Sequence, residues 1–499
     1  MAKERISKLW RDTIFMSGAG LFTALFGMVR GALLPKLISN PADYGLLLIV
    51  NLIAGYGAYT DLGASSGIYR QIPYLRGQKA SEETLEQLRN SALGFVLLTG
   101  LLAAGAALLL GLGMIGSFST VAVIILILAA VRLPLRNLIA LLTNLHQAEQ
   151  RFALLAKIEV YSTVGWVGGV LLGAYFWGVS GAVGVIVAVE LVRVVVYWRT
   201  LGFSLKPILT LKPTRRLLSV GMPLTVATFL RFSMESMDKL FVAHFVGGES
   251  RGFLTLTLTV VMFINLLPGK LGTVLYPDIA RQTGAGKLDA LREKLLRYTE
   301  INAYLGAITA GLTVIAAHTL LPGWLPNYKA AIPLIDLYAP RLALYTTMLV
   351  GGNILINQLL ERKQVKRWLI LQVAFVLLSV AACSWALLRF GDAEGQVLAN
   401  NVVVILYVLL LLYFSAGAVK VKPLRRLAFI GTVLLPILYA GGATLAVLYL
   451  IENLLARWSL IPLFLVGVAA FGLLLIPLLI IEEKRLGLLR TIKAKILKR

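Results

Sequence analysis

The chain has 499 residues, of which 58% are hydrophobic, and its mean hydropathy is +0.83. A soluble protein cannot bury so much apolar surface in a core. The apolar segments are long and continuous and do not alternate with polar residues, so helices rather than a β-barrel are expected. The 48 Lys and Arg residues against 24 Asp and Glu give a net charge of +24. Most of these cations lie between apolar segments, which indicates membrane topology rather than nucleic-acid binding.

The apolar segments begin near Asp12 and end near Ile481, and about 14 of them are long enough to span a ~30 Å hydrocarbon layer. Basic residues concentrate in alternate connections. Because Lys and Arg accumulate on the cytoplasmic side, we expect both termini to be cytoplasmic. The fold class predicted is therefore an all-α polytopic membrane protein with about 14 transmembrane helices.

The two halves of the chain open in the same way. Each begins with a basic cluster and a long apolar segment and then has a short loop that ends in glycine, NPADYG in one half and GGESRG in the other. This parallel predicts two six-helix lobes, residues 1–216 and 217–426, followed by a helix pair with a basic tail, residues 427–499. Repeats of this kind are typical of transporters with a substrate site between them.

Several cations fall inside predicted spans, where a charge costs at least ~2.5 kcal/mol and normally faces protein or water. Arg30 in the first span is the clearest of these. Guanidinium groups bind phosphate oxygens in a bidentate manner, so inward-facing cations would form an anion site. The candidate binding residues are Arg30, Arg132, Arg136, Arg231, Lys270 and Arg341.

Arg132 and Arg136 are four residues apart in the fourth span, which places both side chains on one helix face. The alternative is a shorter helix in which Arg136 reaches the headgroups. In the sixth span, Glu190 and Arg193 have the spacing of a structural ion pair.

The seventh span, Leu217 to Val246, carries Arg231, Glu235 and Lys239 at intervals of four residues, beside Asp238. These charges form either a self-neutralising ladder along one helix or a gate in the cavity wall.

Three further positions are ambiguous. Lys270 follows a Pro-Gly pair and Arg341 follows Pro340, which predicts interrupted helices beside a cavity. Asp61 in the second span, Tyr44 to Tyr69, either pairs with a cation of another helix or couples transport to an ion. The candidate gating or coupling residues are thus Asp61, Glu235, Asp238 and Lys239.

No enzyme site is recognisable. His146, His244 and His318 lack the spacing of metal ligands, and no nucleotide-binding loop or nucleophile elbow occurs. We therefore predict a non-enzymatic transporter without a metal or cofactor, in which Cys383 is a core residue. The sequence leaves open coupling to H⁺, to Na⁺ or to the membrane potential.

Four short motifs occur in the order known from one family: Tyr44-Gly45, Asp61-Leu62-Gly63, Gln150-Arg151-Phe152 and Asp238-Lys239. With them the chain resembles the oligosaccharide flippases of the multidrug/oligosaccharidyl-lipid/polysaccharide exporter superfamily. Gly27 to Arg30 also resembles a motif of the related lipid II flippases, whose arginine lines a cationic cavity. Those proteins have a second arginine where this chain has Ala24, so lipid II itself is not the expected substrate.

The resemblance implies a fold like that of lipid II flippases and MATE transporters, working by alternating access. It implies transfer of undecaprenyl-pyrophosphate-linked oligosaccharide across the bacterial inner membrane for surface polysaccharide such as O-antigen, lipopolysaccharide or exopolysaccharide. Possible partners are a polysaccharide polymerase and a chain-length regulator. One alternative is a cation-coupled multidrug exporter of the same superfamily, although its cavity should be acidic. The other is a membrane-embedded polymerase or transferase, although the outer loops are short.

Overall fold

The computed structural model describes residues 2–112, 120–269, 275, 279, 282–283, 286–361, 365–454 and 459–486. Within these ranges every regular element is helical, which confirms the all-helical membrane fold. Eleven helices in the described part of the chain are long and apolar enough to cross a membrane. A total of 14 spans remains a prediction.

The chain divides by its internal contacts into two compact units, Met1–Thr255 and Leu256–Arg499. The lobe boundaries near residues 216 and 426 stay predictions.

The first unit is built from nine α-helices and a π-helix among its described residues, and it also contains the start of α10. Their bounds are α1 Ala2–Leu37, α2 Pro41–Tyr44, α3 Leu46–Gly57, α4 Ala64–Gly77, α5 Glu82–Leu112, α6 Thr120–Ala148, α7 Phe152–Arg199, α8 Leu211–Glu235, α9 Met237–Phe241, the π-helix Val242–Val246 and α10 Gly248–Val261. Helix α1 packs along α7, α6 packs on α5 and α7, and α8 packs on α4 and α5.

The second unit continues with six long helices and two short 3₁₀ turns in its described part. Their bounds are the 3₁₀ turn Met262–Asn265, α11 Leu288–Trp324, the 3₁₀ turn Pro326–Ala331, α12 Ile332–Glu361, α13 Val365–Arg389, α14 Ala393–Ala418, α15 Pro423–Leu454 and α16 Leu460–Leu486. Helix α11 packs against α12, α15 and α16, and α14 packs against α12 and α13.

Helix α7 corresponds to two predicted spans. Its 48 residues would extend about 72 Å as one straight rod, more than twice the hydrocarbon thickness. The backbone leaves the helical conformation at Trp177 (φ −132°, ψ 18°) and Gly178 (φ 59°, ψ −145°). The break lies where the sequence predicts the end of a fifth span, residues 158–177, and the start of a sixth, residues 181–199, so α7 consists of two arms.

The predicted second span is wrong as a single helix. Helix α3 ends at Gly57 and α4 begins at Ala64, with turns between them. Gly63 has φ +87°, a left-handed conformation that glycine adopts without strain. The carboxylate of Asp61 accepts hydrogen bonds from the backbone N–H groups of Gly63 (2.9 Å) and Ser65 (3.1 Å). Asp61 therefore stabilises the turn and the first amides of α4.

Two other helix predictions need correction. The predicted seventh span is not continuous, because α8 ends at Glu235 and is followed by α9 and the π-helix. In contrast, α12 runs without interruption through Pro340, so the break expected before Arg341 is absent.

Candidate functional site

A cavity of about 420 Å³ lies inside the first unit, between α1, the second half of α6 and both arms of α7. We call it the arginine cavity. Its lining residues are Thr23, Arg132, Arg136, Ile139, Ala140, Glu159, Ser162, Thr163, Trp166, Val189, Glu190 and Arg193. The predicted common face of Arg132 and Arg136 is confirmed, since both side chains line this one cavity.

Arg132 is held by a buried ion pair. Its Nε donates to Oε1 of Glu190 at 2.8 Å, and each side chain is 11% exposed. Arg132 Nη1 and Glu190 Oε2 are also buried, and neither has a hydrogen-bond partner. The pair is therefore joined through one atom of each group, which leaves a donor and an acceptor unused.

The ion pair predicted within α7 between Glu190 and Arg193 is wrong. Arg193 instead donates from Nη2 to Oε2 of Glu159 at 3.0 Å. This bond joins the two arms of α7. Residues three apart on one helix can pair, but here a neighbouring helix and the facing arm supply better-placed partners for Glu190 and Arg193, respectively.

Arg136 differs from its two arginine neighbours. No hydrogen bond or ion pair to its guanidinium group occurs among the described residues. The cavity contains three guanidinium groups and two carboxylates, so the charge of one arginine is left uncompensated by ion pairing. A cation in this position can accept an anionic ligand without first losing a carboxylate partner.

Arg30 lies next to this cavity, against its lining residue Trp166. Its guanidinium carbon lies 4.0 Å from the ring centroid of Trp166, a cation–π contact, and its Nε is buried with no hydrogen-bond partner. Nearby, the hydroxyl groups of Thr23 and Thr163 are hydrogen-bonded at 3.0 Å between α1 and α7. Arg30 also lies close enough to Arg132 for the two charges to interact.

The predicted ladder of ion pairs among Arg231, Glu235 and Lys239 is present only in part. Arg231 Nε lies 3.5 Å from Oε1 of Glu235, the expected pair four residues apart. Lys239 Nζ instead donates to the backbone carbonyl of Glu235 at 2.5 Å and lies 3.7 Å from fully buried Asp238. Tyr59 lies near this ladder and also near Arg136. A gating role for this ladder stays a prediction.

The remaining candidates lie elsewhere. Arg341 belongs to the second unit, where it is buried, donates to Oδ1 of Asn401 at 3.2 Å and lies 5.1 Å from the ring centroid of Tyr338. Lys270 lies outside the described residues. Asp61 accepts from two backbone amides, and no ion pair to the cation predicted as its partner occurs in the described ranges.

Sequence reasoning missed Glu159 and Trp166. Together with Ser162 and Thr163 they form a stripe at intervals of three and four residues on the first arm of α7. Such spacing of polar and aromatic residues within an apolar helix indicates a protein-facing side, and this signal would have found them. No group of three or more His, Cys, Asp or Glu suited to a metal ion occurs in the described parts of the chain.

Comparison with known proteins gives a family and a fold. A family model described as "Polysaccharide biosynthesis protein" matches residues 33–322. Comparison with curated protein sequences finds no match.

Three solved structures illustrate the fold. The lipid II flippase MurJ in an inward closed conformation aligns with TM-score 0.70 at 14% identity, over 92% of this chain and 98% of MurJ. A MOP superfamily transporter from Pyrococcus furiosus aligns with TM-score 0.57 at 16% identity, over 83% of this chain and 96% of its own. An outward-facing multidrug resistance MATE family transporter has TM-score 0.54 at 15% identity, with coverages of 85% and 96%. The predicted resemblance and fold are confirmed.

Proposed function

We propose that this chain, which belongs to the polysaccharide biosynthesis protein family, is a flippase for undecaprenyl-pyrophosphate-linked oligosaccharide. It moves this lipid from the cytoplasmic to the periplasmic leaflet for surface polysaccharide biosynthesis. The observation that carries the proposal is Arg136, a cation that lines a cavity inside a membrane protein and has no carboxylate partner in the described structure.

The ligand chemistry follows from the arginines. A pyrophosphate carries at least two negative charges, and planar guanidinium groups match its oxygens in pairs. Arg136 supplies the first contact, and the unused Nη1 of Arg132 supplies a second on the same face of α6. A volume of about 420 Å³ is within the range of small-ligand sites and suits the head group, while the prenyl chain stays in lipid.

The carboxylates of the cavity have a structural part in this proposal. Glu190 and Glu159 each hold one arginine in place, so the guanidinium groups are positioned before the ligand arrives. Prepositioned donors lose less conformational entropy on binding. Transfer then proceeds by alternating access, and the protein makes or breaks no covalent bond.

The cellular setting belongs to the same proposal. We place the chain in the bacterial inner membrane with both termini in the cytoplasm, because its basic residues concentrate in the connections on that side. A polysaccharide polymerase and a chain-length regulator would act on the lipid-linked product. Coupling to H⁺, to Na⁺ or to the membrane potential would supply the energy.

The Arg30→Ala variant tests the proposal in cells. Loss of the cation beside Trp166 should abolish surface polysaccharide while the amount of protein in the membrane stays normal, as measured by gel analysis and immunoblot. Arg30→Lys should restore export partly, because lysine keeps the charge over the ring but lacks the planar fork of donors. Wild-type export by Arg30→Ala would contradict the role of the cavity as an anion site.

A cation-coupled exporter is the second candidate, favoured by the fold shared with MATE transporters and by carboxylates within the cavity. Mass spectrometry of lipids that co-purify with the protein separates the two functions. Recovery of a polyprenyl-pyrophosphate sugar supports the flippase. Its absence, together with recovery of cationic amphiphiles, supports the exporter.

A further inference from the structure

A second and larger cavity lies in the first unit beside the first half of α6. Its volume is about 780 Å³, and α3, α9, the π-helix and the first turn of α10 complete its wall. We call it the aliphatic cavity. Its lining residues are Ala42, Asp43, Leu46, Ile49, Val50, Leu52, Ile53, Tyr56, Ala122, Ile125, Leu126, Ala129, Leu240, Ala243, His244 and Arg251.

Most of this wall offers no hydrogen bonds. Twelve of the 16 lining side chains are Ala, Leu, Ile or Val, and the polar side chains other than Tyr56 come from α2, the π-helix and the first turn of α10. Water is poorly held in a cavity lined by aliphatic groups, and a sugar would lose its hydrogen bonds there. Hydrocarbon is the material that such a wall accommodates.

Arg251 is the exception in this wall. Its Nε is buried without a hydrogen-bond partner, and no ion pair to its guanidinium group occurs in the described part of the chain. Asp43 lines the same cavity but is exposed and does not pair with it. A partly desolvated cation without a counter-ion is unfavourable, and an anionic ligand would remove that penalty.

The backbone explains how Arg251 reaches the cavity. A Cβ atom on Gly252 would overlap the carbonyl oxygen of Pro41, and one on Gly45 would lie 2.7 Å from Cβ of Arg251. The absence of side chains at these two glycines allows the start of α10 to lie directly against α2. The amino-terminal turn of α10, whose helix dipole also favours negative charge, therefore borders the cavity.

We propose that the aliphatic cavity binds a hydrocarbon chain that ends in a phosphate or carboxylate group. The chain lies among α3, α6 and α9, and the anionic group contacts Arg251, with His244 as a second donor at the same end. This site shares no lining residue with the arginine cavity. The inference therefore stands or fails independently of the proposed function.

The test uses the full chain in phosphatidylcholine nanodiscs with a photoreactive diazirine analogue of farnesyl phosphate. Labelled peptides are mapped by mass spectrometry. We expect labels within residues 46–56 and 240–244, and at least tenfold weaker labelling by the matching farnesol analogue, because the alcohol lacks the charge-assisted contact. Equal labelling by phosphate and alcohol would overturn the proposal.

Two variants localise the ligand. Ala243→Phe fills part of the cavity and should remove the labels, while Arg251→Gln should weaken labelling about tenfold at a probe concentration below saturation. Arg251→Gln changes a partly exposed side chain, so it serves if Ala243→Phe does not fold. Labels that persist unchanged in Arg251→Gln would contradict the role of the guanidinium group.

Competition then identifies the source of the ligand. Phosphatidylglycerol added to the nanodiscs should suppress labelling if a bilayer lipid occupies the site, and undecaprenyl phosphate should do so if a carrier lipid occupies it. Either result supports the proposal and assigns the occupant. If neither lipid competes, the cavity does not hold an anionic lipid and the proposal fails.

Discussion

One stripe of α6 lines the arginine cavity and the aliphatic cavity. Ala122, Ile125 and Ala129 face the aliphatic cavity, and Arg132 and Arg136 continue the same stripe into the arginine cavity. The helix therefore changes character along its length rather than around its circumference. A hydropathy average over the whole helix does not show this change, whereas the positions of the two arginines near its middle do.

The two cavities also differ in whether their arginines have carboxylate partners. In the arginine cavity, Glu190 and Glu159 pair with two of the three guanidinium groups, whereas Arg251 in the aliphatic cavity has no such partner in the described structure. The two carboxylates offset the repulsion among the guanidinium groups, which would otherwise be costly inside a membrane protein. A single cation at the end of an apolar cavity has no neighbouring cation to repel it.

The largest effect is expected when the Arg132–Glu190 pair is broken from one side. Arg132→Met leaves Glu190 buried without its cation and should destabilise the protein by about 3 to 5 kcal/mol. The double variant with Glu190→Gln should recover most of that loss. Thermal unfolding in detergent measures both, and equal instability of single and double variants would show that the pair is not the source of the effect.

A smaller effect, on binding rather than stability, is expected at Arg136. Arg136→Gln removes charge-assisted hydrogen bonds worth about 1.5 to 3 kcal/mol, so retention of pyrophosphate-linked lipid should fall about 10- to 100-fold. Arg199→Gln, an exposed arginine at the end of α7, is the matched control and should retain the lipid normally. Equal losses in both variants would indicate a general charge effect and would contradict the assignment of Arg136 as a ligand contact.

The smallest effect on stability is expected at Asp61. It tests whether this carboxylate only stabilises a turn or takes part in transport, as proposed for the arginine cavity. Asp61→Ala loses both backbone bonds and should cost about 1 kcal/mol of stability, whereas Asp61→Asn keeps one acceptor and should cost less. If the role is structural, Asp61→Asn still exports polysaccharide. Complete loss of export by a stable Asp61→Asn protein would instead assign ion coupling to this carboxylate.

The sequence was sufficient for the features that depend on local spacing. Membrane helices follow from the length of apolar segments, and the shared face of Arg132 and Arg136 follows from their separation by four residues. The partner of Glu190 could not be predicted, because it lies 58 residues away on another helix. The role of Asp61 was also hidden, since a carboxylate that binds backbone amides looks in sequence like one that binds a cation.

The break at Trp177 and Gly178 gives the arginine cavity a mechanical property. The two arms of α7 are joined covalently at the break and again, near their other ends, by the 3.0 Å bond between Arg193 and Glu159. The two arms are thus connected at both ends of the helical hairpin. Moving the far ends of the two arms apart therefore requires that ion pair to separate.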